Sequence, residues 1–213
     1  MSFNINNFRS DGLKFDGARP TLFEVLVNFP ALASNGNAEA NRLRFLAQAA
    51  SLPESTIESV QVPYFGRTIK LEGNRTFADW EIEVLVDEDF TIRAAFEAWM
   101  NGMNTHISNR KDAAFSGLNY KRTATVYQLS KESETSEAES AIRAYTFSGL
   151  FPVQLSPIRL RWDATNQIET FTATMAYDYW VPGADENYLG TEGNFRGIDG
   201  SAPAWNPVLE SDA

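Results

Sequence analysis

The stretch Ile168–Val181 reads IETFTATMAYDYWV and alternates between two kinds of side chain. Its odd-numbered positions carry Phe171, Ala173, Met175, Tyr177 and Tyr179, and its even-numbered positions include Thr170, Thr172, Thr174 and Asp178. A period of two is typical of a β-strand with one packed and one solvated face. At ~3.3 Å per residue this strand would run roughly 45 Å and would need neighbouring strands along its length. It therefore predicts the wall of a β-barrel or β-sandwich, and an ordinary long strand in a β-domain is the simpler alternative.

The composition excludes several classes of protein. The chain has 213 residues, of which 43% are hydrophobic, and a net charge of −10. Nucleic-acid binders usually have the opposite sign, because Lys and Arg supply the affinity for phosphate. The absence of cysteine excludes disulfides, thiolate metal sites and a cysteine nucleophile. The N-terminus lacks the features of a signal peptide and no apolar run approaches ~20 residues, so we expect a soluble protein without a membrane span.

The negative charge is concentrated in two segments. Residues 183–213 hold six acids and one Arg, net −5, and residues 131–140 hold four Glu and one Lys, net −3. The predicted β-domain, 18–182, is therefore only mildly acidic outside the 131–140 segment, which we interpret as a solvated hairpin tip. The polar segment 1–17 is interpreted as an N-terminal arm, and the Gly- and Pro-rich segment 183–213 as a tail too poor in apolar residues for its own core.

Period-two patterns predict further strands, which are at 21–29, 57–62, 68–72, 77–86, 121–129, 142–150 and 158–162. Gly66 predicts a hairpin turn between the second and third of these strands. Turns are also predicted at Gly73–Asn74 and at Asp163–Asn166, and a corner at Phe151–Pro152 and Ser156–Pro157. The chain is thus predicted to be mainly β.

One amphipathic α-helix is predicted at about 91–102. Its apolar residues fall at helical spacing, and they are Ile92, Phe96, Trp99, Met100 and Met103. The acids of 87–89 precede it, where negative charge favours a helix start. Residues 39–50 are ambiguous, because strong helix formers there also fit a period of two through Leu43, Phe45 and Ala47.

No pattern in the chain predicts catalysis or a cofactor. The single histidine, His106, has no partner carboxylate or nucleophile in its neighbourhood and is interpreted as an exposed loop residue. Three consecutive acids at 87–89 cannot all point at one cation. The segment Asp163–Asn166 lacks the Gly and the terminal Glu of a calcium loop. We therefore expect no catalytic, cofactor or metal site.

Four short blocks, taken in order, resemble one known family. They are ARPTLFEV (18–25), GNRTFADW (73–80), GLFPVQLSPIRLRWD (149–163) and IETFTATMAYDYW (168–180). Over about residues 16–182 the chain is similar to the tail tube proteins of T4-like contractile-tailed bacteriophages, the myoviruses. The second and fourth blocks are the distinctive ones. The family pattern makes 43–50 a strand, and we adopt that interpretation over the helix.

The resemblance implies a β-sandwich-like barrel with one helix. Six subunits would form a ring whose strands join into an inner barrel, and rings would stack into a tube inside a contractile sheath, through which DNA is ejected. The implied partners are other copies of the chain, the sheath protein, baseplate and tail terminator proteins, a tape-measure protein in the lumen, and DNA that passes without specific binding. The implied location is the phage tail of the virion, assembled in the host cytoplasm.

Three groups of residues are candidates for roles in such a tube. A Thr-rich or acidic strand face would repel DNA in a channel, and the candidate lumen-facing residues are Asp79, Glu81, Glu83, Thr170, Thr172 and Thr174. The same faces could instead point outward to a sheath. Arg19, Arg75 and Asp79 are candidates for ring contacts or for turns, with the turn favoured for Arg75 and Asp79. Trp80, Trp162 and Trp180 are predicted to be core residues.

Two other functions remain open at this point. The first is the inner tube of a phage-derived injection or secretion system, which would share the fold and assembly but carry protein cargo. The second is a monomeric β-domain that binds a ligand, such as a carbohydrate, through surface aromatics. Self-association separates the last alternative from both tube functions.

Overall fold

The computed structural model consists mainly of antiparallel strands and describes residues 17–31, 33, 38–131, 141–163 and 165–183. The predicted arm (1–17), acidic tip (131–140) and tail (183–213) fall almost wholly outside the described residues. The elements, in chain order, are β1 (Phe23–Val27), α1 (Ala38–Leu46), β2 (Ala47–Ala50), β3 (Thr56–Tyr64), β4 (Arg67–Thr76), β5 (Trp80–Leu85), α2 (Thr91–Met103), a 3-10 turn (Ala113–Phe115), β6 (Arg122–Leu129), β7 (Ala141–Leu155), β8 (Thr170–Ala176) and β9 (Tyr179–Pro182).

Strand β7, with 15 residues, organises the main sheet. It pairs with β6 along one edge, while β8 and then β9 follow each other along the other edge. The strand is irregular at Gly149, whose φ is 72°. A Cβ atom at Gly149 would lie 2.1 Å from Oδ2 of Asp178, and that carboxylate accepts hydrogen bonds from Nζ of Lys121 at 2.6 Å. Both the backbone angle and the close approach therefore require glycine at this point.

The seven-stranded sheet curls around a single core. Its strand order is β1-β6-β7-β8-β5-β2, with β9 paired to β7. Apolar side chains from β1, β5, β6, β7 and β8 meet the inner faces of α1 and α2. The largest fully buried side chains of the core come from strands, helices and the 3-10 turn, and they are Trp80, Trp99, Phe96, Phe115, Phe147, Phe171, Leu43, Ile82, Leu150 and Met175. Among the described residues β1 and β2 do not pair with each other, so the curled sheet stays open along that seam. The prediction of a mainly β, sandwich- or barrel-like fold is confirmed.

The alternation in Ile168–Val181 is confirmed, but the prediction of one continuous strand is wrong. Phe171, Ala173 and Met175 are at most 2% exposed, whereas the threonines between them are half-buried. The stretch divides into β8 and β9 because Asp178 leaves the ladder: its backbone N–H donates to the carbonyl oxygen of Ser148 at 3.0 Å, and its carboxylate binds Lys121.

The predicted helix at about 91–102 is confirmed as α2, which buries Ile92, Phe96 and Trp99. The acids before it do not cap the helix. Nη1 of Arg42, on α1, instead lies 3.2 Å from Asp87 and 3.7 Å from Asp89. These ion pairs connect the two helices, so the acids act between elements rather than at one helix end.

A second helix corrects two predictions, that of a single helix and that of a strand over 43–50. Residues 38–46 form α1, and only Ala47–Ala50 form a strand. The helix places Ala40 and Leu43 in the core, at 4% and 0% exposure, and turns Phe45 outward at 78% exposure. A strand would have put Leu43 and Phe45 on the same face. The ambiguous segment is therefore helical, because helical spacing buries Ala40 and Leu43 together.

The predicted hairpin is confirmed as β3–β4, with Phe65–Gly66 as its two-residue turn. Both turn residues have positive φ, 43° and 78°, as a type I′ turn requires. The turn predicted at Gly73–Asn74 is wrong, because both residues lie inside β4. Gly73 instead faces an irregularity in the ladder between Ile57 and Ser59, where a Cβ would lie 2.8 Å from the carbonyl oxygen of Glu58.

The region after Gly149 also differs from the prediction. Phe151–Pro152 is not a corner but part of β7, and residues 158–162 form no strand. Trp162 is fully exposed, so its assignment to the core is wrong. Trp80 is buried at 2% exposure, as predicted, with its Nε1 donating to the carbonyl oxygen of Ser51 at 2.8 Å. Trp180 is half-buried and packs against the core edge.

Candidate assembly surfaces

The outer face of β5 and β8 brings together five of the six residues predicted to face a channel. Glu81 pairs with Thr174 and Glu83 with Thr172, while Thr170 lies opposite Leu85. The alternate residues of both strands point into the core. The five side chains therefore share one face that is directed away from the core of this chain.

The sixth residue, Asp79, lies just before β5, exposed in the segment that follows β4. It is near the phenol of Tyr177. Burial, followed by the nearby carboxylates of Asp79 and Glu54, raises the pKa of Tyr177 above its usual value. Asp79 thus belongs to the end of the acidic face where the β3–β4 hairpin joins the domain.

This outer face carries no positive charge of its own strands. The segments β2, β5, β8 and 150–155 of β7 contain neither Lys nor Arg. A shallow groove between β2 and β5 runs along the face and is lined by Ala49, Ala50, Ser51, Glu81, Glu83 and Thr172. With two carboxylates and a row of hydroxyls, the surface is polar and negative, and it would attract cations and repel phosphate.

The same part of the sheet has two free edges. Among the described residues β2 pairs only with β5, and Phe151–Leu155 of β7 pairs only with β8. Between them, β2, β5, β8 and this end of β7 form a four-stranded unit with unpaired N–H and C=O groups on both sides. Free edges are a template for pairing with another chain.

The β3–β4 hairpin is the third candidate surface. Within the described ranges it pairs with no other strand, and every residue in it except Gly73 is exposed. Val60 pairs with Leu71 and Val62 with Ile69, which places four apolar side chains on one face at 41–54% exposure. Phe65 at the tip is 91% exposed. Uncovered apolar faces of this kind are typical of protein interaction sites, which makes the hairpin a candidate surface.

Aromatic contacts fix the base of the hairpin to the domain. Nε1 of Trp180 donates to the carbonyl oxygen of Glu54 at 3.3 Å, and the ring of Phe77 lies 5.8 Å from that of Tyr177. These contacts hold both ends of the hairpin segment at the edge of the core. The hairpin is therefore anchored at its base, and its apolar face is uncovered.

The predicted contact residues lie in different parts of the fold. Arg19 is exposed beside β6, and its carbonyl oxygen accepts a hydrogen bond from Nε2 of Gln128 at 2.7 Å. Arg75 lies within β4, opposite Ile57, so the turn interpretation is wrong for Arg75. Asp79 lies between β4 and β5. The structure thus leaves Arg75, on the hairpin, as a candidate contact residue.

The described residues give no support to a catalytic centre. His106 is exposed in the loop after α2, and its backbone N–H donates to Oδ1 of Asn101 at 3.3 Å. Asp163 is paired with Arg161, and Asn166 closes a turn with φ 59°. In the part of the chain that the structure describes, no cluster of three acidic or histidine side chains could hold a metal. Within the same ranges, neither helix is long and apolar enough to span a membrane.

A curled β-sheet with two free edges, an acidic outer face and a hairpin whose apolar face is uncovered fits a structural subunit that associates through its surfaces. Residues 18–182 match the phage tail tube protein family, and the chain belongs to that family. The resemblance drawn from the four sequence blocks is therefore confirmed, and the chain is a component of a phage tail.

Individual relatives agree with this assignment. The chain is 33% identical over 168 residues to tail tube protein gp19 of Enterobacteria phage T4, covering 78% of this chain and 91% of the relative. It is 22% identical over 174 residues to the tail tube protein of Serratia phage KSP90, covering 81% and 93%. In the cryo-EM structure of the extended sheath/tube terminator of PVC, an extracellular contractile injection system, one chain is similar with a TM-score of 0.56 at 14% identity, covering 79% of this chain and 97% of that one. The last likeness shows the fold alone.

Two exposed apolar features were not predicted from the sequence. The hairpin was predicted as a strand pair, but nothing in its alternation distinguishes a face buried inside the chain from a face left open. In the loop after β7, residues 158–162 were predicted as a strand because their apolar residues alternate, and Trp162 was predicted to be a core residue, whereas Leu160 and Trp162 are exposed. In both cases the pattern indicated that burial is needed without indicating what supplies it.

Proposed function

We propose that this chain forms hexameric rings that stack into the tail tube of a myovirus, as the channel for DNA ejection inside a contractile sheath. The observation that carries the proposal is the four-stranded unit β2-β5-β8-β7, which has a free edge on each side and an acidic outer face. Six such units can join edge to edge into one closed barrel. The number six comes from the family resemblance.

Ring closure follows from the two different edges. The edge of β2 on one copy would pair with Phe151–Leu155 on the next, which is a heterologous contact that returns to its start after a full turn. Each copy would then satisfy the backbone groups that its neighbour leaves open, and the ring would have no free edge. The hazard that these edges represent in a monomer thus becomes the driving interaction of assembly.

The acidic outer face would then line the channel. In this arrangement Glu81, Glu83 and Thr170, Thr172 and Thr174 point into the lumen, with Asp79 at one rim. Carboxylates and hydroxyls without nearby Lys or Arg give DNA phosphates no ion pair to form. DNA would therefore pass through the tube without binding to its wall.

The β3–β4 hairpin would supply contacts beyond a single ring. Its apolar face is uncovered in one copy, and its base is anchored at one end of the four-stranded unit. A second contact along the tube axis is what converts closed rings into a filament. The hairpin is the described element best suited to reach a neighbouring ring.

The remaining partners follow from the family. We propose that the tube contacts the sheath protein, starts on the baseplate, ends at a terminator protein and encloses a tape-measure protein, and that it assembles in the host cytoplasm. Two fold-similar chains come from a PVC sheath–tube complex and an AFP baseplate, at TM-scores of 0.53 and 0.54. The higher identity, 33%, is to a phage protein, which favours the phage tail over an injection device.

Negative-stain electron microscopy of the purified chain across a concentration series tests the proposal. Rings or hollow tubes of uniform width are the expected result. A monomeric field would be followed by addition of baseplates or preformed tube ends as seeds. Protein that stays monomeric even when seeded would contradict the proposal and favour a monomeric binding domain.

A further inference from the structure

The loop between β7 and β8 exposes large apolar side chains that no described residue covers. Trp162 is fully exposed, Leu160 is 78% exposed and Ile168 is 71% exposed. Arg159 and Arg161 are interleaved with the first two. Packing among the described residues does not account for a fully exposed tryptophan next to further exposed aliphatic residues. Such a group indicates a surface that becomes buried by a partner.

This loop is held in place at both ends. Ser156 exchanges two hydrogen bonds with the backbone of Thr172, both at 2.8 Å, and its carbonyl oxygen accepts from Nη1 of Arg93 at 3.2 Å. At the other end, the N–H of Val86 donates to the carbonyl oxygen of Glu169 at 2.9 Å. The anchors fix the loop to the end of the sheet at which β5 finishes and β8 begins.

The hairpin leaves the opposite end of the same strands. The chain enters the hairpin segment after β2, beside Trp80, and returns from it directly into β5. Trp80 pairs with Met175, near the end of β8, whereas the anchored loop precedes Thr170 at its start. At ~3.3 Å per residue, β8 separates the two features by roughly 20 Å along the strand direction. The two uncovered apolar features therefore lie at opposite ends of the four-stranded unit.

Charged residues lie at both ends. The outer half of the hairpin, 61–71, contains Arg67 and Lys70 and no acid. The opposite end carries the acids of 87–89, at the turn between β5 and α2, together with Glu169. The receiving loop also contains Arg159 and Arg161, and Arg42 pairs with Asp87 and Asp89, so the charge of that end is mixed. The two ends are therefore matched for head-to-tail contact by their positions and their uncovered apolar side chains, rather than by net charge.

We propose that the exposed side chains of Leu160 and Trp162, in the loop after β7, receive the apolar face of the β3–β4 hairpin from a second copy of this chain in the adjacent ring. The inference rests on the proposed stacking of rings and names the surface that accepts the hairpin. Stacking brings the hairpin end of one ring against the loop end of the next, so the contact repeats along the whole tube. Each copy donates one hairpin and receives another.

Cross-linking tests this contact directly, because the chain contains no cysteine. The variants are Phe65→Cys, Trp162→Cys and the double variant, each assembled into tubes and treated with a short bismaleimide. The double variant is expected to give a ladder of multimers, because every copy is linked on both sides. A mixture of the two single variants is expected to stop at dimers. The matched control pairs Phe65→Cys with Ile107→Cys, another fully exposed apolar position in a different loop, and is expected to give no ladder.

The outcomes separate this inference from the proposed function. Tubes that form but cross-link only in the control pair, or in neither pair, overturn the loop as the receiving surface and leave the tube intact. Protein that forms no tubes even when seeded contradicts the proposed function and the inference together. As a second measurement, Trp162→Ala is expected to raise the critical concentration for tube growth by about tenfold or more, as loss of an aromatic anchor does. An unchanged critical concentration for Trp162→Ala, with Ile107→Ala as control, would also overturn the inference.

Discussion

Two pairs of neighbouring strands, β3–β4 and β5–β8, have the same alternation of apolar and polar residues, but their apolar faces have opposite surroundings. In β5–β8 the apolar residues Ile82 and Ala173 are fully buried, whereas in the hairpin Val62 and Ile69 are 41% and 51% exposed. The difference lies in what covers the apolar face: the core of the same chain in one case and nothing within the described residues in the other. Alternation therefore predicts a strand, and the topology determines whether burial comes from the chain or from assembly.

The largest expected effect is the difference in unfolding free energy between replacing a buried tryptophan and replacing an exposed one. Trp80 stacks on Phe147 with ring centroids 4.4 Å apart and is 2% exposed, so Trp80→Ala should lower the free energy of unfolding by about 3–5 kcal/mol. Trp162→Ala, the same substitution at a fully exposed site, should change it by about 0.5 kcal/mol or less. Urea unfolding of the monomeric protein measures both values. Equal losses would mean that Trp162 is covered within the chain.

The next effect concerns the glycine at which β7 bends. Gly149→Ala should cost about 2–4 kcal/mol of unfolding free energy, because alanine disfavours φ 72° and its Cβ would displace Asp178 from Lys121. Gly117→Ala is the matched control, since it has φ 63° with open space around the added Cβ, and it should cost only about 1–2 kcal/mol. Thermal unfolding of both variants would show whether the contact with Asp178 adds to the backbone term. Identical losses of unfolding free energy in the two variants would mean that the backbone angle alone requires glycine at position 149.

Substitutions on the hairpin should affect assembly far more than folding. The double variant Val62→Ser with Ile69→Ser removes one cross-strand apolar pair, so monomer stability should fall by about 1 kcal/mol or less. Tube formation should be lost, because the apolar face that we propose to dock on a neighbouring ring is gone. Electron microscopy and urea unfolding of the same sample give both quantities. A variant that unfolds much more readily would place the hairpin face inside the subunit core.

The sequence was sufficient wherever a pattern and its burial partner lie in the same chain. The acidic face with Glu81 and Glu83 and the threonine face with Thr172 were each predicted, because period two fixes which side chains of a strand point together. The pairing of β5 with β8 in the structure joins the two faces into one surface. The helix α2 was predicted for the same reason. Its apolar residues have only one arrangement that buries them.

The sequence was insufficient where tertiary or quaternary contacts made the choice. Residues 43–46 fit a helix and a strand equally, and the core position of Leu43 selected the helix. Trp162 fits a core strand by its spacing, but none of the described strands pairs with its loop. Gly73 resembles a turn residue and instead allows close approach of Glu58 across an irregular ladder. A local sequence pattern does not show where the contacting residues lie, and in each of these cases those contacts determined the structure.

The proposed channel face gives a smaller and more specific effect. Glu83→Lys replaces a carboxylate on the outer face of β5 and should leave tube formation intact, because the side chain points away from the core. The assembled tubes should then retain DNA at low salt and release it at high salt, since a ring of lysines offers ion pairs to phosphate. Glu97→Lys on α2 is the control for the same change of charge elsewhere. Equal DNA retention by both variants would contradict a lumenal position for Glu83.

The smallest effect is expected from removing residues 184–213, which belong to neither strand pair. The segment is Gly-rich and acidic, and the family match ends at residue 182. A chain ending at Gly183 keeps β9 and the hydrogen bond from Oγ1 of Thr146 to the carbonyl oxygen of Gly183, at 2.7 Å. Its cooperative thermal transition should therefore persist, with a change in unfolding free energy of about 0.5 kcal/mol or less. Loss of the transition would mean that the curled sheet needs the tail to close its core, and the free edges would then have to be reconsidered as surfaces that the tail covers.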